Sequence, residues 1–518
     1  MLSNDTLLVG DVLRQHAQNY PEKEAIIFEE KRFTYKTYNE RVNKLANGLL
    51  NLGLKKGDGF AILLFNCSEY MEAYFAAHKA GFVLVPVNYN LKAQEIKYIL
   101  NNSEAKVLLT SDDFIDTIAP VLDQFEHIER LILLGTKYFE NMVPYDGLLA
   151  NSSANEPETK LKETDPNVIM YTSGTTGLPK GAVRSHRANV LTFMYCSLEY
   201  GFSPEDKIIC SGPLYHGGPW GFSHMHLYIG ATLVIEKKFD AAKVLKAIEQ
   251  EKITTAFFVP TMFNMMMQLP EKKLDSFDIS SVRVLVAAAA PLHTKTKEWI
   301  LNYFSDAKLF ESYGATELGI CTSLRHVDQL KKIRCVGKPV LGYEIALFDD
   351  NFNQVPHGEP GVIYTTGPCM CDGYYNNKQA TRESSYGKWF SVGDIMKSDE
   401  QGYLYVIDRK SDMVISGGVN IYPAEIDNAI MTHPKVVDCA VIGIPNEKWG
   451  ESLMAVIVLK KGEKCTDEEI IQYCKDNIAN YKKPKYVQFV NELPRNPSGK
   501  ILKRVLRDQY WKHQEQKV

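Results

Sequence analysis

Hydroxyl, glycine and lysine residues are concentrated in the stretch Tyr171 to Gly181, which runs Y-T-S-G-T-T-G-L-P-K-G. Glycine lets backbone N–H groups approach an oxyanion closely, and Ser and Thr hydroxyls add further donors with little bulk. The apolar run 168–171 has the composition of a buried strand, so we expect the loop at a strand's carboxyl end, where open α/β sheets bind ligands. Composition and position together predict a site that holds a chain of phosphates.

The spacing within this loop excludes a P-loop nucleoside triphosphatase. That motif needs G-x-x-x-x-G-K followed by Ser or Thr, whereas here Leu178 and Pro179 separate the last glycine from the lysine, and Gly181 follows. Residue for residue, the loop instead resembles the phosphate loop of the adenylate-forming superfamily, which includes acyl-CoA synthetases, adenylation domains of peptide synthetases, and luciferases. The resemblance assigns the ATP phosphates to Thr172, Ser173, Gly174, Thr175, Thr176, Gly177 and Lys180.

A second segment that carries the resemblance is Y-G-A-T-E, ending at Glu317. In the superfamily its tyrosine stacks on adenine, its threonine contacts phosphate and its glutamate holds Mg²⁺. The resemblance therefore implies that Glu317 and Thr172 are magnesium ligands and take part in catalysis. It places the nucleotide beside Ala289, Ala290, Pro291, Glu311, Ser312, Tyr313, Gly314 and Thr316.

Three further residues complete the nucleotide site that the resemblance implies. Asp394, in F-S-V-G-D, matches the aspartate that holds the ribose hydroxyls, and a carboxylate is a suitable acceptor for two vicinal hydroxyls. Arg409 falls where the family has another ribose or phosphate contact, beside a hinge. Lys500, in P-R-N-P-S-G-K, matches the catalytic lysine, whose ammonium would bridge the substrate carboxylate and the α-phosphate and offset the charge that builds during attack.

Coenzyme A is the acyl acceptor that the C-terminal part of the resemblance implies. The segment 416–423, S-G-G-V-N-I-Y-P, resembles the loop that lines the pantetheine tunnel in acyl-CoA synthetases, and its glycines would let the tether pass close to the backbone. An aromatic residue in N-E-K-W-G-E and a Tyr-Lys pair further on match positions that contact the CoA nucleotide through stacking and charge. The residues assigned to CoA are Ser416, Gly417, Gly418, Trp449, Tyr481 and Lys483.

Candidate residues for the acid pocket come from three segments. His216, in Y-H-G-G-P-W-G, matches a family position that borders the acyl and adenylate sites, and we include it among the catalytic residues. Ala288 replaces a glycine that is common in the family, and its methyl group takes space that an open fatty tunnel would need. The methionine-rich segment 262–267 forms an adaptable apolar cluster, for which core packing is favoured over a pocket wall.

The elements that must position these residues alternate between strand-like and helical patterns in the first part of the chain. The strand-like runs are 24–28, 59–65 and 81–87, and the helical patterns are 34–52 and 69–80. Such alternation predicts largely parallel sheets covered by helices. From residue 358 the short Gly-, Thr- and Tyr-rich segments predict hairpins; beyond residue 409 we expect helices at 423–431 and 467–478 and strands at 436–444 and 453–459.

The predicted fold is therefore α/β with two domains, because a chain of 518 residues is longer than a single hydrophobic core usually supports. The resemblance implies a large N-terminal AMP-binding adenylation domain, residues 1–408, with two helix-flanked β-sheets and a small β-barrel-like region. A small mobile α+β domain, residues 409–518, would follow and carry the catalytic lysine.

Bulk properties exclude several other functions. A net charge of -4 argues against nucleic-acid binding, no apolar run is long enough to span a bilayer, and the N-terminus lacks the pattern of a secretion signal. The ten cysteines lack zinc-site spacing apart from Cys369 and Cys371, and we interpret them as reduced thiols of a cytoplasmic protein. His216, His224 and His226 lack a Cys or carboxylate partner at ligand spacing, so we discount a metal site there.

The predicted activity is that of an ATP-dependent carboxylate–CoA ligase, with ATP, Mg²⁺ and coenzyme A. Resemblance to bacterial fatty-acyl-CoA ligases makes a medium- or long-chain fatty acid the first expectation; an aryl or cinnamate-like acid, or a non-catalytic nucleotide-binding homologue, are the alternatives. The presence of all the charged groups assigned above favours an enzyme. The oligomeric state, for which a homodimer is one option, and peripheral membrane contact are left open.

Overall fold

The computed structural model describes residues 7–137, 142–172, 178–416, 419–446, 448–495 and 501–511. They form two compact units: a larger unit of Met1–Glu344 and Thr365–Phe390, and a smaller unit of Ile345–Tyr364 and Ser391–Val518. No helix in this described part is long and apolar enough to cross a membrane. The domain boundary expected between residues 408 and 409 stays a prediction.

One sheet of the larger unit carries the predicted phosphate loop. The strand Pro166–Thr172 pairs in parallel with Val83–Pro86 and antiparallel with Lys180–Ser185, so the loop joins the two arms of a hairpin. The inner strands of this sheet are apolar throughout and buried on both faces, as parallel strands covered by helices are. In spatial order the strands are Gly373–Tyr374, Lys180–Ser185, Pro166–Thr172, Val83–Pro86, Gly59–Leu63, Ala105–Ser111, Arg130–Leu134 and Met142–Pro144.

A second sheet of the larger unit carries the Y-G-A-T-E segment. It is parallel from Glu24–Phe28 to Lys308–Ala315 and antiparallel at both of its ends. In spatial order its strands are Lys31–Thr34, Glu24–Phe28, Thr232–Ile235, Lys207–Cys210, Thr255–Phe258, Val284–Ala287, Lys308–Ala315, Gly319–Leu324 and Cys335–Pro339. The short hairpin of Ser385–Tyr386 and Trp389–Phe390 also belongs to the larger unit.

Helices cover these sheets, and Ser68–Ala80 is buried along its whole length. Its side chains share one core cluster with Ile62 of the first sheet and Leu233 of the second, which places this helix between the two layers. Side-chain caps begin several of the other helices; for example, Thr34 accepts from the Thr37 N–H and Ser185 from the Ala188 N–H. The remaining helices are Asp11–Asn19, Tyr35–Asn51, Ala93–Asn102, Ile115–Ile118, Tyr145–Ala150, His186–Tyr200, Gly217–Tyr228, Ala241–Glu251, Pro260–Met267, Glu271–Leu274, Thr294–Tyr303 and Lys378–Glu383, with 3-10 turns at Ala119–Gln124 and His326–Asp328.

The smaller unit contains the predicted hairpins and the C-terminal α+β piece. Its hairpin strands are Asp394–Ser398 and Leu404–Arg409, together with most of Glu344–Phe348 and Gly361–Thr366. The C-terminal sheet contains Val414–Ser416, Val419–Ile421, Val436–Asn446, Gly450–Leu459 and Tyr486–Phe489, with helices Pro423–Met431, Asp467–Asn477 and Lys503–Trp511 and a 3-10 turn at Asn480–Lys482. The predicted α/β class, with several helix-flanked sheets and a small C-terminal domain, is confirmed.

The cysteines and the methionine-rich segment mostly serve packing. All ten cysteines are free thiols. Phe263 and Met266 are fully buried in the core beneath the second sheet, which agrees with the predicted core packing, whereas Met265 is 49% exposed. Ala288 packs against the core between the two sheets.

Buried histidines make up an aromatic cluster around the helix Gly217–Tyr228. The His224 ring stacks on Phe75 at a centroid distance of 5.3 Å, lies 4.9 Å from Trp220, and bonds through Nδ1 to the Trp220 carbonyl at 3.0 Å. Burial lowers the pKa of His224 to about 3. His226 bonds in the same way to the carbonyl of Phe222 at 2.8 Å. Both imidazoles are therefore neutral parts of the interior.

This burial predicts loss of stability in mild acid. In the unfolded chain the His224 imidazole gains its proton near its ordinary pKa of 6.5, but in the folded protein only near pH 3. Between these values the unfolded state binds the additional proton, so falling pH lowers the free energy of unfolding by about 1.4 kcal/mol per pH unit for this residue. His224→Phe should reduce the pH dependence of the free energy of unfolding by that amount. Urea unfolding at several pH values, followed by circular dichroism, would measure it. The exposed His127→Phe is the control, and equal slopes for both variants would contradict the assignment.

Candidate active site

The phosphate loop is anchored by a hairpin whose two arms meet in register, Tyr171 opposite Gly181 and Thr172 opposite Lys180. A side chain at Gly181 would come within 2.6 Å of the Ile169 methyl group, so packing against the neighbouring strand requires glycine there. The loop's central residues, Ser173, Gly174, Thr175, Thr176 and Gly177, lie outside the described residues. The described ends place the Thr172 hydroxyl and the Lys180 side chain together at one edge of the sheet.

Glu317 lies at the centre of a hydrogen-bonded cluster at this edge. The residue is 7% exposed, and its carboxylate Oε1 accepts hydrogen bonds from the Thr172 hydroxyl at 3.3 Å and from the Tyr374 hydroxyl at 2.9 Å. The Lys180 ammonium lies 5.2 Å from the centre of the Tyr374 ring. Burial, with the Glu317 charge, raises the pKa of Tyr374, so its hydroxyl remains a donor at neutral pH. The structure thus joins Thr172, Lys180 and Glu317, three of the predicted residues.

The oxygen atoms that this cluster offers as ligands suit a magnesium ion. Mg²⁺ prefers hard oxygen ligands and in nucleotide sites takes one or two protein groups together with water and phosphate oxygens. The Glu317 carboxylate and the Thr172 hydroxyl share a hydrogen bond, so both can turn toward one small cation. Glu317 and Thr172 are the residues that would hold it.

Thr316 and His216 approach the same place from the second sheet and from the helix Gly217–Tyr228. A Cβ added to Gly217 would be in ordinary van der Waals contact with Thr316, 3.9 Å from its hydroxyl oxygen. Next to it, burial lowers the pKa of His216 to about 4, and Nε2 has no hydrogen-bond partner within the described chain. His216 is therefore a neutral imidazole with an unused polar atom, and it directly precedes Gly217 in the chain. In the Y-G-A-T-E motif that contains Thr316, glycine is required at Gly314, because a side chain there would overlap the Gly319 carbonyl.

The helix Gly217–Tyr228 also borders open space in the interior. Gly221 is buried, yet a Cβ added to it would meet no atom within 4 Å. Gly217 and Gly221 are four residues apart and so share one face of the helix, together with Trp220. Gly217, which faces Thr316, and Gly221, which faces open space, therefore lie on the same side of the helix.

The segment 288–291 contains a strained residue. Ala289 has a φ of +72°, in the left-handed region that costs an alanine about 1 kcal/mol or more. Such strain is concentrated at ligand-binding positions. Ala289, Ala290 and Pro291 follow the strand Val284–Ala287 after one intervening residue, Ala288. The geometry is consistent with their predicted place beside the adenine, which stays a prediction, as does that of Tyr313.

Glu311 and Ser312 lie in the same strand as Tyr313, but their side chains are engaged in the interior. The Glu311 carboxylate forms a buried ion pair with the Lys297 ammonium at 2.7 Å, and the Ser312 hydroxyl bonds to that of Tyr200 at 2.7 Å. Burial raises the pKa of Glu311 against the opposing effect of Lys297. The contacts observed here are structural, and the predicted nucleotide contacts of these two residues stay predictions.

The buried pair of Lys297 and Glu311 should contribute strongly to stability. Lys297→Met leaves an unpaired carboxylate in the core, which should lower the free energy of unfolding by about 3–5 kcal/mol. Urea denaturation would measure the loss, and the double variant Lys297→Met/Glu311→Leu should recover most of it. A loss below about 1 kcal/mol, the value for exposed ion pairs, would contradict the expectation.

The smaller unit contains the residues predicted to bind ribose. Asp394 and Arg409 are direct partners on adjacent antiparallel strands, and the Arg409 Nε donates to Asp394 Oδ1 at 3.0 Å. Asp394 is 6% exposed. The pair sets a carboxylate acceptor beside a guanidinium donor, which suits a sugar diol next to a phosphate.

The residues predicted to contact CoA lie on the surface of the same unit. Trp449 is 43% exposed, with the ammonium groups of Lys448 and Lys485 at 5.1 and 5.0 Å from the ring. Tyr481 is 57% exposed, and Lys483 is close to it in sequence. Ser416 is engaged, since its hydroxyl donates to the Glu451 carbonyl. Gly417, Gly418 and Lys500 lie outside the described residues.

Sequence reasoning missed several partners of these residues. Tyr374 lies far in the chain from Glu317, Lys297 lies in the helix that precedes the strand of Glu311, and no motif marks either residue. Lys448 and Lys485 flank Trp449 without a distinctive spacing. For Tyr374 the only signal is its place in G-Y-Y, after a turn-forming segment.

Comparison with known proteins relates the whole chain to one group. The family model of AMP-binding enzymes matches residues 13–375, and that of the AMP-binding enzyme C-terminal domain matches residues 425–500. The long-chain-fatty-acid–CoA ligase FadD13 of Mycobacterium tuberculosis is 34% identical over 510 residues, covering 97% of this chain and 98% of its own. Feruloyl-CoA synthase of Amycolatopsis sp. is 34% identical over 481 residues, covering 92% and 94%. The crystal structure of ATP-bound MatB from Rhodopseudomonas palustris superposes with a TM-score of 0.88 at 29% identity, covering 97% and 99%.

Proposed function

Because this chain belongs to the AMP-binding enzymes of the adenylate-forming superfamily, and is an AMP-forming acid–thiol ligase of the acyl-CoA synthetase type, we propose that it activates a carboxylic acid in two steps. The acid first attacks the α-phosphate of ATP, which gives an acyl-adenylate and pyrophosphate. The CoA thiol then attacks the acyl carbon and releases AMP. The cluster of Glu317, Thr172 and Lys180 is the observation that carries this proposal.

In the first step two anions must meet, so the site must offset their repulsion. Magnesium, held by Glu317 and Thr172, would supply positive charge to the phosphates. Lys180 brings a second positive charge to the same edge, and the loop of residues 172–180 would hold the leaving pyrophosphate with backbone N–H groups. His216, neutral at physiological pH, borders the acid without adding charge, and its unpartnered Nε2 can take one hydrogen bond.

The groups on the smaller unit would serve the nucleotides. We assign the ribose hydroxyls of ATP to Asp394 and Arg409, because their paired carboxylate and guanidinium offer acceptors and donors side by side. Lys500 would neutralise charge at the α-phosphate during adenylation. In the second step, Trp449 with its two lysines and Tyr481 with Lys483 would receive the CoA nucleotide, through ring stacking and through charge on the phosphates.

The proposed acid is a medium- or long-chain fatty acid, lying along the glycine face of the helix Gly217–Tyr228. The open space at Gly221 supports a chain that enters beside Thr316 and continues inward. An aryl acid is the second candidate, because Trp220 lies on the same face with Tyr74 and Phe193 about its ring, at 6.0 and 5.9 Å, and would suit a flat substrate. A cytoplasmic location stays a prediction from the sequence.

A panel of aliphatic and aryl acids tests the proposal. The protein, incubated with ATP, Mg²⁺, CoA and each acid, should release AMP and pyrophosphate and form the thioester, with the highest kcat/KM among medium or long aliphatic acids. Release of ADP would overturn the two-step scheme. A higher kcat/KM for cinnamate-like acids would transfer the assignment to the second candidate.

A further inference from the structure

One short segment, residues 98–104, contacts the chain beside each of the three residues that surround Glu317. It comprises the end of the helix Ala93–Asn102 and the two residues that follow, and we call it the anchoring segment. The three residues around Glu317 are Thr172, Lys180 and Tyr374, and their neighbours in the chain that bond to the anchoring segment are Tyr171, Pro179 and Tyr375.

Two hydrogen bonds from the helical part of the anchoring segment hold both ends of the phosphate loop. The Tyr171 hydroxyl donates to Asn102 Oδ1 at 2.7 Å, and the Tyr98 hydroxyl donates to the Pro179 carbonyl at 3.1 Å. Burial raises the pKa of both tyrosines, so both hydroxyls keep their protons at neutral pH. Tyr98 and Asn102 are four residues apart and therefore adjacent on the helix surface. One face of this helix thus holds the chain where it enters the phosphate loop and where it leaves it.

The last residue of the anchoring segment contacts the strand that carries Tyr374. The Glu104 carboxylate accepts from the Tyr375 hydroxyl and from the Asn376 side-chain amide, both at 3.0 Å. Glu104 has a φ of +53°, in the left-handed region that few residues other than glycine adopt. Such a conformation persists where surrounding contacts hold it. The chain is therefore also held directly beyond Tyr374, whose hydroxyl bonds to Glu317.

The helix Ala93–Asn102 is itself fixed on the first sheet. Ile96, Ile99 and Leu100 are buried in one core cluster, against which Tyr98 and Tyr171 also pack. On another side of the helix, the Asn101 side-chain amide donates to the Gln124 carbonyl at 3.0 Å. The helix can therefore act as a rigid support for the residues that bond to it.

We propose that Tyr98 and Asn102 are positioning residues for the phosphates of ATP. Side chains alternate between the two faces of a strand, so Tyr171 points toward the helix while Thr172 points toward Glu317. The two anchoring bonds therefore act on the phosphate loop from the side away from Glu317. They fix the ends of the loop and, with them, the groups that meet the phosphates.

This inference rests on the proposed function, in which the phosphate loop holds the leaving pyrophosphate. In that scheme Thr172 helps to hold magnesium and Lys180 brings positive charge to the phosphates. A displacement of either end of the loop would weaken these contacts, because electrostatic catalysis depends on groups held in place before the reaction. Pyrophosphate has left before the second step, so the anchoring bonds should matter for the first step alone.

Two single substitutions remove the anchoring bonds one at a time. Tyr98→Phe removes a hydroxyl donor, and Asn102→Leu removes an acceptor at similar size. Each should raise the Kd for ATP with Mg²⁺ in isothermal titration calorimetry, and lower kcat/KM for ATP in pyrophosphate release, about threefold to tenfold, the equivalent of one neutral hydrogen bond. The KM for the acid and the rate of thioester formation from supplied acyl-adenylate should keep their wild-type values.

A double-mutant cycle tests the bond between Tyr171 and Asn102 directly. Tyr171→Phe removes the donor of the same bond, so the double variant Tyr171→Phe/Asn102→Leu should bind ATP about as weakly as either single variant. Additive losses would show that the two side chains act separately and would overturn the role assigned to Asn102.

The matched control is Tyr303→Phe. It also removes a tyrosine hydroxyl that donates to a main-chain carbonyl, that of Leu274 at 2.9 Å, but it does so in a different core cluster. Its ATP affinity and both half-reactions should equal those of the wild type, and thermal unfolding would show that each variant is folded.

Wild-type ATP affinity in both Tyr98→Phe and Asn102→Leu would overturn the inference. So would equal losses in the two half-reactions, because these would indicate a general structural role. A wild type that binds ATP but releases no pyrophosphate with any acid would instead overturn the proposed function, and the calorimetric comparison would still decide the role of the two positioning residues.

Discussion

Glu317→Gln should lower the rate of acid-dependent pyrophosphate release by about two to three orders of magnitude, the typical effect of removing one electrostatic contact to a developing charge. Glutamine keeps the size of the side chain and can still accept from Thr172 and Tyr374, but it removes the negative charge that would hold magnesium. Stopped assays of pyrophosphate at several Mg²⁺ concentrations would measure the effect. The concentration of Mg²⁺ needed for half-maximal rate should also rise.

Tyr374→Phe is the matched control for Glu317, because it removes one hydrogen bond to Oε1 and leaves the carboxylate in place. We expect an effect several-fold smaller than that of Glu317→Gln. Should Glu317→Gln retain the wild-type rate and the wild-type Mg²⁺ dependence, Glu317 would have no role in metal binding, and the observed cluster would be structural.

Lys500→Ala should abolish adenylate formation while thioester formation from supplied acyl-adenylate continues at close to the wild-type rate. The ammonium is proposed to act on the α-phosphate, and that centre is no longer involved once the adenylate exists. Measuring pyrophosphate release in one assay and CoA consumption from synthetic acyl-adenylate in another separates the two steps. We expect a loss of about two to three orders of magnitude in the first assay alone.

Lys464→Ala, at an exposed lysine of the same unit, provides the comparison and should leave both steps unchanged. Equal losses in both assays for Lys500→Ala would refute the division of labour between the two steps. Rescue by Lys500→Arg of part of the adenylation rate would support a role for charge over a role for shape.

Local elements were predictable where the sequence pattern is strong. Two elements begin and end where expected. β-branched and apolar residues mark the strand Glu24–Phe28, and a proline in the first turn marks the start of the helix Pro423–Met431. The predicted helices at 34–52 and 69–80 agree with Tyr35–Asn51 and Ser68–Ala80 to within a residue at each end. The motifs, in turn, indicated residues such as Thr172 and Glu317 that the structure brings together.

What the sequence could not supply are the contacts that depend on how elements pack. The ion pair of Lys297 and Glu311 depends on how a helix packs on the strand that follows it, whereas the family resemblance implied only a nucleotide contact for Glu311. The sequence also does not reveal which apolar side chains are exposed. Methionine and leucine are typical of protein cores, yet Met265 and Leu198 lie at the surface. The open space at Gly221 arises from the shape of the surrounding packing, which a single glycine does not reveal.

The hydrogen bonds around Glu317 have a consequence for biosynthesis. Thr172 and Glu317 are separated by 145 positions and Glu317 and Tyr374 by 57, so the cluster joins three segments that leave the ribosome at different times. Contacts across such separations form only after long loops close. A nascent chain in which Tyr374 has not yet left the ribosome therefore lacks the complete cluster, so the cluster can form only after most of the polypeptide has been synthesised.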